Sequence, residues 1–125
     1  MEAKEKVTFW AEEAKRSLKV ADDLFKLKHY LETLFYCHLA LERLLKSKVV
    51  EATQKDPLYT HDLVKLAEKA KFKLIDDQVM QLAKINTYNI RTRYQDYKLS
   101  LYKQATYEFT KNELAQTKKL FNKLK

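Results

Sequence analysis

A chain of 125 residues without a single glycine has few ways to turn sharply. Glycine takes positive φ without steric cost, so its absence removes two-residue hairpins and glycine-ended helices from the usual repertoire. The lone proline, Pro57, leaves long stretches uninterrupted. Those stretches are rich in Leu, Lys, Glu and Ala, which are good helix formers. An all-α fold is expected. The length allows one core and is too short for two, so residues 1–125 are read as a single domain.

One cysteine, Cys37, excludes an intramolecular disulfide framework. The first ten residues lack the apolar core of a signal peptide, and no run approaches the ~18 apolar residues of a membrane span. A cytoplasmic protein with no membrane partner is expected. The net charge of +8, from 25 Lys+Arg against 17 Asp+Glu, attracts polyanions. Most of the lysines, however, fall where solvated helix faces are expected, so charge alone does not decide the partner.

Periodicity divides the chain. Val7, Trp10, Ala14, Leu18, Ala21 and Phe25 recur at three- and four-residue steps, which predicts a first helix from about Glu2 to Leu27. A break at Lys28–His29 precedes a second helix, about Tyr30 to Ala52, that is apolar around most of its circumference. Such a helix is either the centre of a bundle or part of a dimer interface. Gln54–Tyr59 reads as a loop, because Pro57 disfavours helix at Asp56. Thr60 is then placed to cap a short third helix with Asp62 in its first turn and Leu63, Leu66, Ala67 and Ala70 buried. Asp76 or Asp77 starts a fourth, with Val79, Leu82, Ala83, Asn86 and Ile90 on one face. Thr110 and Glu113 have the spacing of a capping box for the last helix, flanked by Phe109 and Leu114 as a hydrophobic staple. Between these two helices, Gln95 to Glu108 is tyrosine-rich and weakly periodic.

Few residues are placed for bond-making chemistry. His29 and His38 are nine residues apart, which sets them on opposite helix faces at ~100° per residue. No cysteine pair or other metal-ligand spacing occurs, so no metal is expected. Without glycine there is neither a P-loop nor a dinucleotide fingerprint, and no cofactor is expected. Cys37 falls on the apolar stripe with Leu34 and Leu41 and reads as an inert buried thiol, with His38 as a hydrogen-bonded core histidine. His61, beside Asp62 at a helix start, either contacts a ligand or packs over the loop that contains Tyr59.

The segment Tyr88–Tyr97 concentrates two arginines and three tyrosines. On a continued helix Arg91 and Arg93 point about 200° apart and cannot act as one clamp. Extending the row Val79–Leu82–Asn86–Ile90 reaches Arg93 and then Tyr97, so Asn86 and Arg93 are expected on the inward face. A guanidinium there needs a partner. Either Asp96, Asp62 or Glu42 bridges it, or Asn86 and Arg93 line a cleft for phosphate or RNA. Tyr88, Tyr94 and Tyr97 either stack bases or pack as amphipathic side chains.

The chain resembles the HEPN domain family (higher eukaryotes and prokaryotes nucleotide-binding). The residues that carry the resemblance are Trp10 and Ala14, then Ala40–Lys46 (Ala-Leu-Glu-Arg-Leu-Leu-Lys), Thr60-His61-Asp62-Leu63, and Tyr88 through Arg91-Thr92-Arg93-Tyr94-Gln95-Asp96. The resemblance covers nearly the whole length. It implies an antiparallel up-and-down bundle of four to five helices, usually a homodimer. Prokaryotic members are often paired with a minimal nucleotidyltransferase in toxin–antitoxin-like systems. Catalytic members are metal-independent ribonucleases with an Arg, four to six residues, then a His. Here Arg91 or Arg93 supplies the Arg, but no His follows His61, and Gln95 stands where Pro is usual.

The expected function is therefore a non-catalytic HEPN-type module, binding nucleotide or RNA phosphate or a nucleotidyltransferase partner through Asn86, Arg91, Arg93 and Tyr94, with His61 and Asp96 nearby. The alternatives are a ribonuclease that recruits His61 in place of the missing histidine, and a purely structural partner-binding bundle.

Overall fold

The computed structural model describes residues 2–125. Six helices follow one another: α1 (Ala3–Lys26), α2 (Tyr30–Thr53), α3 (Leu63–Lys69), α4 (Asp76–Arg93), α5 (Gln95–Gln104) and α6 (Tyr107–Leu124). Among the described residues there is no strand, and no helix is long and apolar enough to cross a membrane.

The ends of the first three helices show how the chain turns without glycine. Lys28, Gln54 and Lys71 take left-handed φ of 66°, 59° and 65°. Each substitutes for a C-cap glycine at a steric cost of about 1 kcal/mol.

The second helix is the centre of the bundle and touches each of the other five. Leu34, Cys37, Ala40, Leu41, Leu45 and Val50 are fully buried on it. Its all-round apolarity is thus satisfied within the single chain. On α1, the small buried residues Ala14, Ser17 and Ala21 face α2 across the helix pair. Two hydrogen bonds stitch this pair together: Arg43 Nη1 donates to Ser17 Oγ at 2.7 Å, and Ser47 Oγ donates to the Val7 carbonyl at 2.8 Å. Truncating Leu34, Leu41 or Leu45 to Ala would cost about 2–5 kcal/mol.

Three sequence expectations are corrected here. The cap of α3 is Asp62, whose side chain accepts from the Val64 and Lys65 amides, and not Thr60. Thr60 acts earlier, accepting from the Asp62 amide at 3.1 Å. Second, α6 begins one turn before the expected box. Thr106 is its cap, accepting from the Phe109 amide, because Tyr107 stacks on Phe25 at 5.4 Å and meets Tyr30 edge-on. Thr110 is consequently buried, and its hydroxyl has no partner among the described residues. Third, the tyrosine-rich stretch after α4 is helical, forming α5, although Leu101 is its one buried residue.

The inward row of α4 also differs from the expectation. Gln78, Leu82, Ile85, Tyr88 and Asn89 are buried, whereas Ile90 is 48% exposed and Asn86 only half-buried. Tyr88 sets this rotation. Its hydroxyl donates to Glu113 Oε1 on α6, and Glu113 Oε2 pairs with Lys84 Nζ at 2.9 Å. Glu113, expected to cap a helix, instead ties α4 to α6 from inside.

Candidate functional site

The rotation of α4 places Asn86, Asn89 and Arg93 along one side of a cleft of about 340 Å³, with Thr60, His61 and Asp62 from the segment before α3 along the other. Arg93 is exposed, and its Nε donates to the Asn89 carbonyl at 3.2 Å. Among the described residues it forms no ion pair with any carboxylate. The expected bridge to Asp96, Asp62 or Glu42 is therefore corrected. Arg93 lies on the rim, where water solvates it, and so needs no buried counter-ion.

The His61 side of the cleft is held from two helices. From α4, Asn86 Oδ1 accepts from the Leu63 amide at 2.9 Å, and its Nδ2 donates to Asp62 Oδ1 at 2.8 Å. From α2, His38 Nε2 lies 2.8 Å from the His61 carbonyl. A carbonyl only accepts, so Nε2 of His38 carries the proton. Burial pushes the pKa of His38 below its ordinary value, which keeps the ring neutral and its Nδ1 bare.

The imidazole of His61 is oriented by a buried carboxylate. Its Nδ1 lies 2.8 Å from Glu42 Oε1, and Glu42 Oε2 accepts from Lys46 Nζ at 3.0 Å. Glu42 is only 5% exposed, while the His61 side chain is 56% exposed. Nδ1–H is therefore committed to Glu42, and Nε2 has no hydrogen bond among the described residues. Sequence reasoning does not assign Glu42 or Lys46 to the site. The signal that could have found them is the polar series His38, Glu42, Lys46 at four-residue steps on an otherwise apolar helix.

Three of the sequence-nominated residues, His61, Asn86 and Arg93, thus meet at one cleft. Arg91 does not: its Nη2 donates to Ser100 Oγ on α5 at 3.2 Å, bracing the α4–α5 corner. Tyr94 is the extended residue between α4 and α5, and Asp96 lies exposed in the first turn of α5; neither lines the cleft. Cys37 is buried, and burial pushes its thiol up to about 12, so it is no nucleophile. Among the described residues no three His, Cys, Asp or Glu side chains cluster to hold a metal. The arrangement offers one fixed cation, an imidazole and amide groups, with the Asp62 carboxylate occupied by the Asn86 amide and the Val64 and Lys65 backbone: a site suited to holding an oxyanion at Arg93.

No curated protein sequence matches the chain. Among solved structures, the crystal structure of TT1696 from Thermus thermophilus superposes with a TM-score of 0.79 over 95% of each chain, at 20% identity. At that identity the likeness concerns the fold. A family model described as HEPN domain matches residues 7–125, and the chain belongs to the HEPN domain family.

Proposed function

We propose that the protein binds phosphate groups of a nucleotide or RNA in the His61–Asn86–Arg93 cleft, as a non-catalytic module. The observation that carries this reading is Arg93: a guanidinium with no carboxylate partner among the described residues, at the mouth of a cleft whose opposite wall carries an oriented imidazole. A guanidinium left free in this way is suited to forked recognition of phosphate. Family membership supports the same class of ligand.

The test is fluorescence anisotropy with a labelled single-stranded oligonucleotide across a salt series. Arg93→Ala is expected to weaken binding and to flatten the log-affinity slope by about 0.7, the value for one phosphate contact on a single strand. Arg91→Ala, which touches Ser100 instead, should leave that slope unchanged. Equal effects of the two substitutions would reject the cleft.

A second reading, ribonuclease activity, is favoured by one observation: His61 and Arg93 line the same cleft, with a carboxylate behind the imidazole. It predicts cleavage of the oligonucleotide that disappears in His61→Ala while binding persists. Partner association is assigned to a different face. Leu99 and Tyr102, one turn apart on α5, are 60% and 67% exposed, and we take this face as the contact with a second copy of the chain. Light scattering of Leu99→Lys/Tyr102→Glu against the unaltered protein tests it. A nucleotidyltransferase partner would compete for the same face.

A further inference from the structure

We propose that phosphate capture in this cleft takes up one proton at His61, and that Glu42 is the positioning residue that enforces the coupling. The inference rests on the reading of the cleft as a phosphate site, and concerns how that site is regulated.

The starting point is which nitrogen of His61 is free. Glu42 is buried, and Lys46 holds its Oε2 at 3.0 Å, which leaves Oε1 for the ring of His61. It accepts Nδ1–H of His61 at 2.8 Å. The backbone around the ring is pinned by His38 at the His61 carbonyl and by Asn86 at Leu63 and Asp62. The neutral imidazole is thereby confined to the Nδ1–H form, the one less favoured by a free histidine. A neutral ring in this form presents Nε2 as an acceptor only. Phosphate oxygens are also acceptors, so the two repel. Once protonated at Nε2, the ring offers an N–H donor and a positive charge. A proton moves from solvent to Nε2, and no bond in the ligand is broken.

Charged and titratable groups of both signs face the ring from three elements. Glu42 from α2 and Asp62 from the start of α3 favour the imidazolium. Lys46 and His38 from α2 and Arg93 from α4 either oppose it or, in the case of neutral His38, leave it unaffected. An anion bound between Arg93 and His61 adds a negative charge that favours the imidazolium. Affinity for phosphate should then follow the proton concentration.

The experiment uses an oligouridylate without terminal phosphates, whose diester groups do not titrate near neutrality. Calorimetry in buffers of different ionisation enthalpy is expected to show net proton uptake on binding, of up to one proton per site. Affinity should fall by up to about tenfold per pH unit over the range in which a proton is taken up. His61→Gln keeps Arg93 and should bind with no proton uptake and a flat pH profile. Glu42→Gln keeps an acceptor for Nδ1–H without the charge, and should move the pH-dependent limb to lower pH. Nitrogen-15 NMR of the unaltered protein at about pH 8.5 should show His61 protonated at Nδ1. Finding the Nε2–H form, or binding that is independent of buffer and pH, overturns the inference while leaving the phosphate site standing. Proton uptake that persists in His61→Gln also overturns it. No binding at any pH overturns both.

Discussion

Glu113 is a buried carboxylate, 2% exposed, whose two oxygens have different partners: the Tyr88 hydroxyl from α4, and the half-exposed Lys84 ammonium. Tyr88→Phe keeps the ring volume, so it makes no cavity and removes one hydrogen bond to a charged acceptor. Such bonds contribute about 1.5–3 kcal/mol. Lys84 remains to hold the charge, but it is solvated, and its contribution is correspondingly discounted. A loss of about 2 kcal/mol follows, or roughly 8 °C in Tm for a domain of this size. Glu113→Met removes the acceptor instead, leaving the Tyr88 hydroxyl buried without a partner at a cost of about 1–3 kcal/mol, while Lys84 turns to solvent. The double variant, Tyr88→Phe with Glu113→Met, sets a phenyl ring against a thioether and leaves neither partner of this bond orphaned. It should therefore be more stable than the sum of the singles predicts by about 1.5–3 kcal/mol. Burial, and then the bond to Glu113, push the Tyr88 hydroxyl well above its ordinary value, so it stays a donor at any working pH. Urea unfolding of the four proteins, with unchanged m-values, gives the coupling. If the two single effects simply add to within about 0.5 kcal/mol, the tyrosine–glutamate bond does not hold α4 to α6.

Further tests address other parts of the fold. His38 is buried and neutral, with its pKa lowered from 6.5 chiefly by burial. As pH falls through 6.5 the unfolded chain takes up a proton that the folded chain refuses, so stability is complete above that pH and declines below it. Urea midpoints at about pH 7.5 and about pH 5.5 should separate more for the unaltered protein than for His38→Gln, which can still donate to the His61 carbonyl. Gln54→Gly and Lys71→Gly relieve left-handed strain at helix ends and should each raise stability by ~0.5–1 kcal/mol in the same assay; a decrease would contradict the account of how this chain turns. Cys37, with its thiol pushed up to about 12 by burial, should react with iodoacetamide only at the rate of unfolding. Labelling within minutes of the native protein at about pH 8 would contradict its burial.

Some of these features can be read from sequence and others cannot. The ends of α1 and α2 fall within a residue or so of expectation because long amphipathic or apolar runs announce themselves. Helix α5 is not legible, since it buries only Leu101 while Tyr97, Leu99 and Tyr102 face outward, and the 3.6-residue period all but vanishes. For α6 the expected cap is Thr110, and the structure caps the helix four residues earlier, at Thr106. The choice of Thr106 over Thr110 is made by the stacking of Tyr107 on Phe25, a tertiary contact with no local signature. The cleft is half legible. Helical phasing and residue chemistry nominate His61, Asn86 and Arg93, yet they set the inward row of α4 on Asn86 and Ile90, where the structure buries Ile85, Tyr88 and Asn89. That phase is set by Tyr88 finding Glu113 across the bundle, 25 residues away in sequence.

Two buried polar networks run through an otherwise apolar core, and stability alone does not account for either. Replacing buried ion pairs with apolar residues of similar volume is often neutral, or stabilising by about 1–4 kcal/mol. What the networks supply is direction. On α2, His38 reaches the His61 carbonyl, Glu42 reaches the His61 ring, and Lys46 closes the series beneath Trp10, 5.3 Å from its ring centre. A leucine at any of these positions could fill the space but could not place an imidazole nitrogen. Across the bundle, Tyr88 and Lys84 on Glu113 fix the rotation of α4, and that rotation brings Asn89 inward and leaves Arg93 on the cleft rim. One network thus sets His61 and the other sets Arg93. The two groups that would meet a phosphate are positioned from opposite walls by Glu42 and Glu113, the two carboxylates buried among the described residues, and Asn86 on α4 joins the two walls.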